Sequence, residues 1–150
     1  MKIVVQRSLA SEVRVDNEVI GKIDKGLVLL VSFTHTDTIE DINYMVKKVL
    51  NLRIFDDENG VMNKSVLDIG GSILSISQFT LYGDCKKGNR PSYIAALGGE
   101  EAIKLYDTFN SELSKNIKVE TGKFGADMQV SIQNDGPVTI ILESRDVNVR

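Results

Sequence analysis

Residues 128–142 read MQVSIQNDGPVTIIL, two runs of alternating apolar side chains joined by Asn134, Asp135, Gly136 and Pro137. Alternation of period two puts every second side chain on one face of an extended chain, so each run, 128–132 and 138–142, reads as a strand with one buried side. Pro137 is one of only two prolines among 150 residues. It has no amide donor, and Gly136 before it reaches backbone angles closed to other residues, so the pair suits a sharply bent connection with exposed carbonyls. An X-Pro bond also reaches the cis form at a cost of only about 0.5–1 kcal/mol. By itself the junction reads as a hairpin turn made of turn-forming residues. The other reading is a rigid edge that offers backbone carbonyls to another molecule.

Working outward, residues 3–6, 12–15, 18–23 and 27–33 read as successive strands whose short links imply an antiparallel meander. Ile42, Met45, Val46, Val49 and Leu50 then recur at helical spacing, with Asp37 or Thr38 as N-cap and Glu40 or Asp41 completing a capping box. Residues 53–55 and 61–62 flank the acidic run 56–60, which lacks the alternating ligands and distal glutamate of a calcium loop and reads as a hairpin turn. Gly70 and Gly71 open a strand expected over 72–82, with polar groups on both faces near its end. After the 83–90 loop, Pro91 is expected to start a short helix, and a second follows Gly98 and Gly99 with Ala102, Leu105, Tyr106, Phe109 and Leu113 inward. Residues 118–121 add a further strand. The expected fold is α+β, a mainly antiparallel, barrel-like sheet covered by two or three helices, in a single domain over 1–150 with a polar tail at 145–150.

With 42% hydrophobic residues the chain is long enough to bury roughly two thirds of its unfolded surface. No apolar run has the length of a membrane span or a signal peptide, and the single cysteine, Cys85, permits no internal disulfide or cysteine zinc site. The expectation is a soluble, cytoplasmic protein with no metal and no cofactor. A net charge of −3 means that a nucleic-acid partner must be held by a local basic patch. Lys86, Lys87 and Arg90 around Gly88 supply either such a patch or a solvated loop.

Ser77, Gln78, Phe79 and Thr80 end the strongest strand, where hydroxyl, amide and N–H groups can face a cleft. Along the same chain stand Gln6-Arg7, Asn63, Gly83-Asp84, residues 88–92, Gly122, residues 124–128 and residues 134–139, in that order. From about Met1 to Leu142 this set resembles the D-aminoacyl-tRNA deacylase family, also called D-tyrosyl-tRNA deacylase, with residues 77–80 and 134–139 as its two signature segments. The resemblance implies that family's fold and hydrolysis of the ester between a D-amino acid and the tRNA 3′ end, a chiral proofreading step in translation quality control; steric selection of chirality adds that achiral glycine leaks through. It also implies a homodimer with interfacial sites, Gly136 and Pro137 being joined by a cis bond and inserted into the partner's pocket.

Hydrolysis of an activated ester needs preorganised donors for a tetrahedral oxyanion more than it needs a strong base. The backbone amides of Phe79 and Thr80 are the candidates, with Gln78 and Thr80 orienting the ester and Ser77 beside them in the same segment. A Thr80 nucleophile needs a base, and the chain has one histidine, His35, in the 34–36 loop. Cys85 beside Lys86 and Lys87 is a weaker rival for lack of a positioned histidine. The remaining base is the free 2′-hydroxyl of the terminal adenosine. Rigid backbone at Gly136 and Pro137, set where an L side chain would go, gives chirality selection with no demand on side-chain identity. By resemblance Arg7 braces that loop across the dimer, the alternative being a surface ion pair, and Asn134 supports it. Phe124 with Gly122 and Gly125 forms a face for the terminal adenine or else packs in the core. Lys86, Lys87 and Arg90 contact acceptor-stem phosphates. The competing readings are a non-catalytic nucleic-acid-binding module of the same fold and an editing enzyme for a small L-aminoacyl-tRNA.

Overall fold

In the computed structural model, which describes residues 1–145, strand β1 (Lys2–Ser8) lies between two antiparallel partners, β4 (Gly26–Ser32) and β10 (Asn134–Glu143). Of the tail expected over 145–150, only Arg145 falls within the described residues. Strands β7 (Ser72–Ser77) and β8 (Val119–Thr121) extend the sheet to the order β10-β1-β4-β7-β8, and both join it in parallel. The expected meander over residues 3–33 is corrected by the pairing of β1 with β4, which leaves the two strands between them out of the main sheet. Strands β2 (Ser11–Val15) and β3 (Glu18–Ile23) leave the main sheet as a hairpin and pair with β9 (Gln129–Ser131) in a smaller one. Asp16 and Asn17 turn that hairpin with φ of 51° and 65°, angles that short polar side chains tolerate.

The alternation along β4 explains the layering. Leu27, Leu29 and Val31 join Ile3, Val5 and Ile73 under helices α1 (Ile39–Asn51) and α2 (Gly99–Ser114), which contribute Ile42, Met45, Val49, Phe109 and Leu113. Val28, on the opposite face, packs with Leu74 and Ile76 against Val13 and Ile23 of the small sheet. A strand apolar on both faces belongs at the centre of a covered sheet, which is where β4 lies. The third helix expected at Pro91 does not form: Ser92 exchanges both backbone bonds with Asp84, at 2.8 and 2.9 Å, so the segment is extended there. Strands β5 (Phe55–Asp56) and β6 (Met62–Lys64) form the expected acidic hairpin, with the Asp57 carboxylate accepting from the amides of Asn59 and Val61. The fold is α+β and mainly antiparallel, and its main sheet is open instead of closed into a barrel.

The small sheet leaves one area bare. Ile141 is in register with Val4, and Val4 with Leu30, yet Ile141 is 67% exposed.

Thr38 caps α1 and Asp41 completes its capping box. Asp41 is nearly buried and also accepts from Arg145, at 2.8 Å through each carboxylate oxygen, and from the Ser144 hydroxyl at 2.8 Å. Hydrogen bonding to Arg145, above all, holds its carboxyl well below the usual carboxylate range. A depressed folded-state value stabilises the fold above the ordinary carboxylate pKa, and the stabilisation fades as pH falls. Asp41→Asn is expected to lose about 1–3 kcal/mol at pH 7, with the gap to the parent narrowing below about pH 4 in urea melts taken across pH.

Candidate active site

Beyond Ser77 the main sheet has nothing left to pair with, because β4 ends at Ser32 and β8 at Thr121. The strand expected to reach Tyr82 therefore ends at Ser77. The Gln78 amide makes a last bond to the Val31 carbonyl at 2.8 Å, and Phe79–Tyr82 wind into a 3₁₀ turn closed by Gly83 N–H to the Thr80 carbonyl at 2.9 Å. The first amides of a helical turn have no partner within it. Those of Phe79 and Thr80 have no backbone acceptor among the described residues. The Gln78 side-chain amide donates to the Thr80 hydroxyl, and Phe79, 54% exposed, sets its ring edge-on to Tyr93 at 5.1 Å.

Ser77, Gln78 and Phe79 form one wall of a cleft of about 240 Å³, and Phe124, Gly125, Ala126 and Met128 form another. The half-buried Phe124 ring leans on Tyr106 of α2 at 5.9 Å, so this residue both packs and lines the cleft. The Tyr106 hydroxyl donates to the Ser75 carbonyl at 2.7 Å, and burial pushes its phenol pKa up. One core tyrosine thus ties both walls to α2. Periodicity marks it only as an inward helix position, and the polar tip of Tyr106 among Leu105, Phe109 and Leu113 is the one sequence signal that sets it apart.

Strand β10 carries the second segment, and the hairpin reading is corrected. Strand β9 pairs with β2 while β10 pairs with β1, so residues 133–138 do not turn one strand back on the other. Gln6 faces Thr139 and Ser8 faces Asn134, leaving Arg7 alone opposite residues 135–138. Those four residues are extruded as a wide bulge in an edge strand. The Gly136–Pro137 peptide is cis, Gly136 has φ of 108°, and both residues are exposed. The Asn134 amide donates at 3.0 Å to the carbonyls of both Arg7 and Val138, and its oxygen accepts from Gln6 and Thr139 at 3.2 Å. Arg7 is only 8% exposed. Its guanidinium reaches the Ile54 carbonyl at 3.0 Å, the Asp135 carbonyl at 3.3 Å and the Asp135 carboxylate at 3.2 Å. Within one chain Arg7 braces its own bulge, and it is too buried for the surface ion pair.

The two segments do not meet within one chain. The row Ser77, Val31, Ile3, Leu142 crosses the sheet near one end, whereas the bulge lies past the row Leu74, Val28, Gln6, Thr139 and three strands away. Strand rise and spacing put about 20 Å between them. Lys86, Lys87 and Arg90 are exposed on the loop that follows the 3₁₀ turn. Neither His35, whose Nε2 lies 2.8 Å from the Ile94 carbonyl, nor the exposed Cys85 lines the cleft. Among the described residues no three side chains are grouped to hold a metal ion, and no helix is long and apolar enough to cross a membrane. Asn134→Ala is expected to cost about 1–3 kcal/mol in urea unfolding and to speed hydrogen exchange selectively in the 135–139 segment, since it orphans two backbone carbonyls.

The chain is 60% identical over 146 residues to the D-aminoacyl-tRNA deacylase of Clostridium botulinum (strain 657 / Type Ba4), covering 97% of this chain and 98% of that one. It is 56% identical over 147 residues to the D-aminoacyl-tRNA deacylase of Geobacillus sp. (strain WCH70), covering 97% of each. Among solved structures it is similar to the c-Myc DNA Unwinding Element Binding Protein, with a TM-score of 0.92 and 45% identity over 97% of this chain and 100% of that one. A probable eukaryotic D-amino acid tRNA deacylase, 17% identical over 94% of this chain and 97% of that one, shares the fold with a TM-score of 0.81. The family described as D-Tyr-tRNA(Tyr) deacylase matches residues 4–143, and with this extent of identity the chain belongs to it.

Proposed function

We propose that the protein hydrolyses the ester linking a D-amino acid, or glycine, to the 3′-terminal adenosine of tRNA, as a metal-independent, cytoplasmic homodimer that clears mischarged tRNA. The observation that carries the dimeric reading is the separation of the two signature segments. Gly136 and Pro137 lie about 20 Å from Gln78 of their own chain, so a site that uses both takes its bulge from a second copy. A two-fold axis makes such a contact reciprocal and yields two identical sites. Ile141, 67% exposed beside the half-buried Val4, is apolar surface that such a dimer can bury.

In this site the amides of Phe79 and Thr80 stabilise the oxyanion, a donor type whose loss costs about 10²- to 10³-fold in rate. Gln78 and Thr80, already joined side chain to side chain, orient the ester, and Ser77 completes the wall. No histidine or cysteine lines the cleft to activate Thr80, which favours the substrate's own 2′-hydroxyl as the group that positions water. The carbonyls of Gly136 and Pro137 from the partner accept from the substrate ammonium and occupy the space an L side chain would need. Asn134 and Arg7 hold that backbone in place. Phe124 and Gly125 offer the terminal adenine a surface, and Lys86, Lys87 and Arg90 meet acceptor-stem phosphates.

Matched D-, L- and glycyl-tRNA are expected to separate cleanly: the first and third hydrolysed, the second spared, with Pro137→Ala eroding the distinction. Equal hydrolysis of D- and L-tyrosyl-tRNA by the parent protein refutes the chirality filter. Thr80→Val, which keeps the amide, is expected to slow deacylation less than about tenfold, and complete loss there restores the nucleophile reading. Ile141→Asp is expected to shift sedimentation from dimer to monomer and to lose activity in proportion. A monomer of full activity overturns the shared site.

A further inference from the structure

Tyr44, Lys47, Lys48, Asn51, Leu52 and Arg53 line a groove of about 420 Å³ at the C-terminal end of α1. Three of these six residues are cationic and none is acidic, in a chain whose net charge is −3. Lys47, Lys48 and Arg53 take part in no ion pair among the described residues. Lys48 Nζ stands 5.5 Å from the centre of the Tyr44 ring, and Arg53 Nε donates to the Asn63 carbonyl at 3.0 Å, which fixes the guanidinium beside the groove. Favourable interaction with the helix dipole accounts for a lysine in the last turn of α1. It does not account for Arg53, which lies past the helix end, or for an aromatic ring set among the cations.

The position of the groove indicates its occupant. Ile54, next to Arg53, gives its carbonyl to Arg7, and Arg7 in turn holds Asp135 of the bulge. The groove therefore sits beside the base of the Gly136–Pro137 projection, at the far end of its own sheet from its own cleft. In the dimeric reading proposed above, on which this inference rests, that projection enters the partner's cleft and brings the groove to the cleft's rim. We propose that the groove binds the phosphodiester backbone of the tRNA whose 3′ end occupies the partner's cleft. It is a phosphate-positioning surface supplied in trans and distinct from the 83–90 loop. Lysine and arginine contacts of this kind raise affinity without reading sequence and make it depend on salt.

The test measures binding of an uncharged tRNA by fluorescence anisotropy over a range of NaCl concentrations, together with steady-state deacylation of D-tyrosyl-tRNA. The double variant Lys47→Gln/Lys48→Gln is expected to bind several-fold more weakly. Its slope of log affinity against log salt should be smaller by about 1 for each lysine removed. In deacylation its KM rises and its kcat stays at the parent value. Lys47→Arg/Lys48→Arg is expected to restore both affinity and slope, and Arg53→Gln gives an independent reading at a third exposed position. Parent-like affinity and slope in both glutamine variants overturn the proposal. If the glutamine variants bind tRNA more weakly and with a smaller salt slope but the parent fails to deacylate D-tyrosyl-tRNA, the proposed function falls and the groove stands as a tRNA-binding surface. If it deacylates and the glutamine variants are indistinguishable from it, the groove falls and the function stands.

Discussion

A guanidinium with 8% of its surface exposed has to be matched on nearly every face, and Arg7 is matched by three separate parts of the chain. It reaches the Ile54 carbonyl between α1 and the acidic hairpin, the Asp56 carboxylate within that hairpin, and both backbone and side chain of Asp135 in the bulge. Removing a charge from water costs several kcal/mol unless such partners offset it, so these three segments are held in one arrangement or the arginine is left orphaned. Gly136 belongs to the same constraint. A Cβ built there comes within 2.7 Å of Arg7 Nη2 and 2.9 Å of a Val138 methyl, and its φ of 108° is strained for any residue with a side chain. The exposed peptide at 136–137 is thus supported from beneath by a buried ion and from the side by the Asn134 network.

That support explains why recognition is assigned to backbone instead of side chains. A stereocentre is read by where groups cannot go, and a wall that yields by an ångström reads poorly. Side chains hop between rotamers, whereas a carbonyl fixed by its neighbours does not. The same logic governs the other segment, where the useful amides belong to a short 3₁₀ turn anchored by Gln78 to β4 and by Tyr106 through Ser75. Both halves of the proposed site are backbone held rigid by side chains placed behind it.

The sequence made some of this legible and withheld the rest for identifiable reasons. Helix α1 was readable to its cap because Thr38 and Asp41 are three apart and the apolar stripe begins at once behind them. Strand positions were readable because alternation reports a face. Alternation does not report a partner, however, and nothing in Leu27, Val28 or Leu29 says that β7 will lie parallel beside them. The strand expected to reach Tyr82 ended at Ser77 because its neighbours ran out, a tertiary fact absent from its own residues. The bulge looked like a hairpin turn because turn residues are the same in both settings, and only pairing distinguishes them. For Arg7 the surface-pair alternative stayed open because composition cannot show that Ile54 and Asp135 converge on it. What the chain did carry for the site was order: residues 77–80 and 134–139 set in a family's pattern, with Phe124 between them.

The distance between those segments turns an apparent defect into an architectural rule. A single sheet cannot bring the end of β7 to a bulge in β10 without folding on itself, and the layers of apolar residues on both faces of β4 forbid that. Two copies related by a two-fold axis need no such distortion. In the proposed dimer each copy offers the exposed Ile141 and sends its bulge toward the end of the other's sheet where that copy's cleft lies. Assembly in that dimer is coupled to chemistry: a lone chain carries only one of the two signature segments at its cleft, so a site that uses both is complete only in the pair.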